Sequence, residues 1–197
     1  NSSSPSDLSI RSEGRHSSER AAFSSRLEEI QSLLDLGQSS EVQSRVSLIL
    51  RTPRLNPSVA AEVRCAGSVS LEMQGRYAES LEAVALYEAA ESRLPLDSDV
   101  ASRVRVQLAL AYNYNGDHPR AIALLNAELR DATESGTDCA TGAAFIALSR
   151  TYRSINEYSI ARGYADKALD HYRRTGEWRG LAESYFAIAL TELFEGR

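Results

Sequence analysis

The apolar and polar positions of this chain follow a helical period almost throughout. Across 57–74 and 98–115 apolar or small residues recur at steps of three and four, and 77–92, 118–134 and 158–174 repeat the pattern. That spacing is one face of a 3.6-residue helix. No stretch alternates as a half-buried strand would, and none is rich enough in β-branched residues to compete. The helical patterns are cut at regular places. "LALAYNYNGDHPRAIALL", Leu108 to Leu125, breaks at Asn115-Gly116-Asp117-His118-Pro119 and then resumes. Equivalent breaks centre on Gly37, Gly75, Asn156 and Gly196, so that the five lie 38, 41, 40 and 40 residues apart. Gly and Asn reach the left-handed conformation of a helix end at the least cost, so each of the five predicts a C-cap. After Gly116, Asp117 suits an N-cap and Pro119 suits a first turn, where no N–H is needed. His118 is then an exposed turn residue with no catalytic partner beside it.

A second set of breaks falls between the first: Thr52-Pro53 with Asn56-Pro57, Leu94-Pro95 with Asp97, Ser135-Gly136-Thr137-Asp138, and Thr175-Gly176. Together they predict nine helices, at 18–36, 39–51, 57–74, 77–92, 98–115, 118–134, 139–155, 158–174 and 179–195. Self-similarity at such a period belongs to arrays in which each unit packs only on its neighbours. The fold class expected is all-α, a right-handed superhelix of antiparallel helical hairpins. Residues 1–17, "NSSSPSDLSIRSEGRHS", are dominated by serine and nearly lack apolar side chains; they read as a flexible tail or linker before a repeat domain at 18–197.

The residues inside the repeats resemble the tetratricopeptide repeat family. The third repeat carries Leu108-Ala109 with Tyr112, then Ala121 and Leu125. The fourth carries Phe145, Leu148-Ser149 and Tyr152, then Ala161 and Lys167-Ala168-Leu169; the fifth opens with Tyr185 and Ile188-Ala189. The second keeps Gly67, Ser68 and Leu71 before Gly75-Arg76-Tyr77, and the first keeps only the hairpin pattern. Small residues such as Ala109, Ser149, Ala121 and Ala161 let helix backbones approach, while tyrosines and leucines fill the space between hairpins. The repeats are longer than the family's usual unit, which resembles members found in bacterial signal sensors, transcriptional activators and scaffolds.

Composition removes several functions. The net charge is −5, with no basic stripe for direct nucleic-acid binding. No apolar run approaches the ~18 residues that span a membrane. Cys65 and Cys139 have neither disulfide-framework nor metal spacing, and read as two buried thiols of a reducing cytosol. His16, His118 and His171 fall in the tail, a turn and a helix end, the last a favourable place for positive charge. Pairs such as Glu28-Glu29 are a solvated face. The expectation is a non-catalytic cytoplasmic protein with no metal and no cofactor.

The resemblance implies a concave groove lined by the first helix of each hairpin, taking an extended peptide or a partner helix. Its register puts Glu62, Cys65, Val69, Glu72 and Met73 there from the second repeat. From the third come Arg103, Val106, Leu110, Asn113 and Tyr114, and from the fourth Ala143, Ile146, Arg150, Arg153 and Ser154. The arginines suit forked hydrogen bonds to a carboxylate or phosphate, unless they pair with Glu72 or neighbouring acids; Asn113 suits a peptide backbone. The Lys/Asn set by which some members clamp a C-terminal carboxylate is not reproduced. Two functions follow: a scaffold that holds a peptide or partner helix, or a regulatory sensor domain of a larger signalling or transcription-control protein.

The last helix, "GLAESYFAIALTELFEGR", carries Phe186, Leu190, Leu193 and Phe194 on one stripe, with Tyr185, Ile188 and Ala189 assigned by the register to packing inside the array. Two apolar sides need two neighbours. The expectation is a chain cut in mid-repeat, with the Phe186 stripe in contact with a next repeat, with its own groove, or with a second copy in a homodimer.

Overall fold

The computed structural model describes residues 23–90, 95–135 and 140–196, and these residues form nine helical segments with no strand among them. Helix α1 covers 23–35. It is followed by α2 (Ser39–Leu50), α3 (Pro57–Met73), α4 (Tyr77–Ala90), α5 (Ser98–Tyr114), α6 (His118–Ser135), α7 (Thr141–Ser154), α8 (Tyr158–Thr175) and α9 (Trp178–Glu195). The serine-rich segment 1–17, the start of the first expected helix, the break at 136–138 and Cys139 lie outside the described residues.

The five expected caps all have left-handed backbone: φ is 70° at Gly37, 72° at Gly75, 83° at Gly116, 64° at Asn156 and 80° at Gly196. At four of them the chain closes the helix with the same pair of bonds. Arg76 N donates to Leu71 O and Gly75 N to Glu72 O; Asp117 N and Gly116 N repeat this onto Tyr112 O and Asn113 O. Gln38 and Glu157 do so after Gly37 and Asn156. Carbonyls that a helix end would leave without partners are satisfied within the turn, so the next helix can start two residues on. Helix starts are fixed as well. Asn56 Oδ1 accepts from Ser58 N and Val59 N at 2.8 and 3.3 Å, and Asp117 Oδ1 from Arg120 N at 3.2 Å.

The hairpins stack in two layers. In the odd layer α3 packs on α5, α5 on α7 and α7 on α9; each of α4, α6 and α8 packs on the odd helices before and after it, and not on another even helix. Ala109, Ser149, Ala121 and Ala161 are fully buried at these crossings. One core follows the middle repeats around Val104, Leu108, Leu125 and Leu148, and α1, α2 and the start of α3 close a second around Ile30, Val42, Val46 and Val63. The result is an all-α solenoid.

Two sequence expectations change here. The face by which α9 enters the array is Gly180, Ser184, Ala187 and Thr191. Tyr185 and Ala189 are exposed and Ile188 is half-buried. The reason is Tyr172 of α8: a Cβ at Gly180, or at Gly142 of α7, would fall inside van der Waals contact of its ring. Only the small-residue side of α9 can come that close. His171 does not sit at an exposed helix end. It is 4% exposed and meets the Tyr172 ring edge-on with centroids 5.1 Å apart.

Candidate partner-binding groove

Side chains of the odd layer line two cavities. The first, about 660 Å³, lies between α1, α3 and α5, with Leu27, Ile30, Leu34, Val69, Met73 and Val104 as its apolar lining. Arg103 reaches it but is committed to an ion pair with Glu62. Cys65 also lines it; burial pushes its thiol up to about 12, so the sulfur stays protonated at neutral pH and is no nucleophile. At one edge Asp35 of α1 accepts from Arg179 of α9 at 2.5 Å. These helices are the first and last of the odd layer, so the layer bends back on itself with the cavities on its inner side.

The second cavity, about 500 Å³, is lined by Tyr114, Ile146, Arg150, Arg153, Phe186, Leu190 and Phe194, with Glu183 at its edge. Arg150 Nη1 donates to Tyr114 Oη at 2.8 Å, and its guanidinium lies 5.9 Å from the same ring. Tyr114 is held in turn by stacking on Tyr77, centroids 5.2 Å apart. The Arg153 guanidinium lies 6.0 Å from the Phe194 ring. Neither arginine has a carboxylate within ion-pairing distance among the described residues, whereas Arg103, Arg105, Arg120, Arg162 and Arg179 each have one. Burial, and then the like charge of Arg150, holds the Arg153 guanidinium below its ordinary range. Two adjacent cations on an apolar wall favour an anion.

A polar cluster lies beside the first cavity. Gln107, which lines the first, donates to Glu72 Oε1 at 2.8 Å and to Ser68 Oγ at 3.0 Å; Ser80 Oγ donates to the same carboxylate oxygen at 2.9 Å. Burial raises the Glu72 carboxyl to about 7, opposed by the bond from Ser80 and by the charge of Arg150 in the second cavity.

Residues 100–174, which take in most of α5 through α8 and so include Arg150 and Arg153, match the profile of the tetratricopeptide repeat family. Over these residues the chain is similar to tetratricopeptide repeats. Two crystal structures of a putative kinesin light chain from Podosopora anserina, with nearly identical TPR-like repeats, are similar in fold. One, carrying a point substitution, has a TM-score of 0.59 at 17% identity and the other 0.58 at 18%; in each case 89% of this chain covers 87% of the other. Such identities speak for the fold alone. No curated protein matches the chain in sequence. Tetratricopeptide repeats are in general non-enzymatic scaffolds for protein–protein interaction. No helix among the described residues is long and apolar enough to cross a membrane.

Within the repeats, the residues expected in the groove separate into three groups. Tyr114, Ile146, Arg150 and Arg153 come together in the second cavity, and Arg103 stands in the first. Leu110 and Asn113 line neither. Leu110 packs half-buried against the core. Asn113 is 4% exposed, with Oδ1 3.0 Å from Nδ1 of a half-buried His118, so the short side chain is spent on its own hairpin rather than offered to a peptide. The stripe expected on α9 also divides: Phe186, Leu190 and Phe194 belong to the arginine cavity, and Leu193 points elsewhere, 69% exposed. Sequence reasoning missed the part played by α1 in the first cavity and the Ser68–Ser80–Gln107 set around Glu72. The paired small polar residues at the hairpin crossing were the available signal.

Proposed function

We propose that this chain is an interaction module that holds an acidic segment of a partner protein in its groove, with the second cavity as anchor. Arg150 and Arg153 receive the acidic group as charge-assisted hydrogen bonds, and Ile146, Phe186, Leu190 and Phe194 receive an apolar neighbour of it. One observation carries the reading: among the described residues neither of these two arginines has a carboxylate within ion-pairing distance, while the other groove arginine, Arg103, already has Glu62. A guanidinium half withdrawn from water and left without a counter-ion gains most from a ligand that brings one. The pre-set tyrosine stack under Arg150 lowers the ordering cost of binding.

A random-peptide display selection against the intact chain tests this. Recovered sequences should pair Asp or Glu with apolar residues, and recovery should collapse on the Arg150→Ala, Arg153→Ala double variant. Recovery of basic or purely apolar sequences, or of the same set on the double variant, would reject the proposal.

A further inference from the structure

The arginine cavity holds more positive charge than one carboxylate can answer. Arg150 and Arg153 stand one turn apart on α7, and both line the same space of about 500 Å³. Each is half-buried, and the charge of Arg150 is felt at Arg153. Two carboxylates bear on the pair without forming an ion pair with it. Glu183 is exposed at the edge of the cavity; Glu72 lies outside its lining, with Oε1 taken up by Ser80 and Gln107. The cavity also offers uncharged donors. Tyr114 Oη accepts from Arg150 Nη1 at 2.8 Å and keeps its own proton for a ligand. Asn156 Oδ1 accepts from Tyr158 Oη at 2.7 Å, which leaves the amide N–H groups as the donating end of Asn156.

A carboxylate presents two oxygens, and the fork of one guanidinium satisfies both. Here it would leave the second arginine half withdrawn from water without a counter-ion. A phosphate monoester carries about −1.5 to −2 charge at neutral pH and three acceptor oxygens. That matches two guanidinium groups and the Tyr114 hydroxyl. We propose that the acidic group this cavity takes is a phosphorylated side chain of the partner segment, held by Arg150 and Arg153 together. The inference rests on the acidic-segment reading and names the acid. The wall of Ile146, Phe186, Leu190 and Phe194 takes an apolar residue beside the phosphorylated one, so a bare phosphate ion, which cannot use that wall, is a poor substitute. Arg153 then sets the specificity: one arginine suffices for a carboxylate, and the second is required for the dianion.

Three versions of one apolar-flanked peptide test this, with serine, glutamate or phosphoserine at the central position. Each is titrated calorimetrically into the intact chain at about pH 7.5, where the phosphate is close to a dianion. The phosphoserine peptide is expected to bind at least about tenfold more tightly than the glutamate peptide. Arg153→Ala should remove most of that preference by weakening the phosphoserine peptide and leaving the glutamate peptide nearly unchanged. The melting point checks the fold of the variant, and Arg153→Gln, closer in size, stands in if it has fallen. Equal binding of the phosphoserine and glutamate peptides overturns the inference and leaves the acidic-segment reading standing. A preference that survives in a folded Arg153 variant overturns it too. Inorganic phosphate that binds as tightly as the phosphoserine peptide would make the cavity a site for a free anion and overturn it as well. A serine peptide that binds as tightly as the other two would overturn both readings.

Discussion

Glu72 is the residue whose chemistry reaches furthest into the proposed function. Its carboxyl is raised to about 7, while an unfolded glutamate titrates near 4.5. The folded chain therefore holds the extra proton between those values, and Glu72 makes stability fall as pH rises from about 4.5 through about 7. Glu72→Gln should keep the bonds from Ser80 and Gln107 and flatten that part of the pH–stability curve, which urea unfolding across the range would reveal. The same proton bears on binding. Neutral Glu72 leaves Arg150 wholly available to an anion, so an acidic peptide should bind more tightly below pH 7 than above, and Glu72→Gln should abolish the difference. At the far end of the array, Gly180→Ala puts a methyl group into the Tyr172 ring, and overpacking of this kind costs about 1–3 kcal/mol, read as a lowered melting temperature. The arginine pair was legible in the sequence because long charged side chains leave a helix face and reach the groove. Asn113 and His171 were misplaced because short polar side chains stay where their Cβ points, and that direction depends on which neighbouring helix closes over it.

At the scale of the element, helix ends decided the register. Gly37, Gly75, Gly116, Asn156 and Gly196 were readable from spacing because few residues tolerate positive φ, and a helix that must turn within three residues has little choice. Asn156 is the informative one, since it adopts 64° without being glycine. Asn156→Gly should preserve or raise stability, whereas Asn156→Ala should cost about 1 kcal/mol in an equilibrium melt, the strain of an ordinary side chain in the left-handed region. Which side of α9 would be buried was not readable in the same way. Its large apolar residues outnumber its small ones, but close packing against Tyr172 selects Gly180, Ser184 and Ala187, and most of the bulky side chains are left to the groove and to the open face.

For the whole molecule, hairpins in series make a curved odd layer, and curvature turns a row of helix faces into a groove. The bond between Asp35 and Arg179 joins the two ends of that layer, with both side chains nearly half exposed. Exposed pairs contribute roughly 0–1 kcal/mol, so this one can restrain the bend without holding the fold together. Asp35→Asn should leave the melting temperature nearly unchanged and enlarge the radius of gyration measured by small-angle X-ray scattering, as high salt should in the unmodified chain. An unchanged radius would mean that packing of α3, α5, α7 and α9 alone sets the curvature. The proposed partner chemistry depends on a different part of the bend, where α5, α7 and α9 converge on Arg150 and Arg153. The direct test is calorimetric titration of the unmodified chain and the Arg150→Ala, Arg153→Ala variant with one acidic, apolar-flanked peptide, at low and at high salt. Loss of charge-assisted bonds worth about 1.5–3 kcal/mol predicts affinity about 10- to 100-fold weaker in the variant at low salt, with the gap narrowing as salt rises. Equal affinity for both proteins, or binding indifferent to salt, would contradict it.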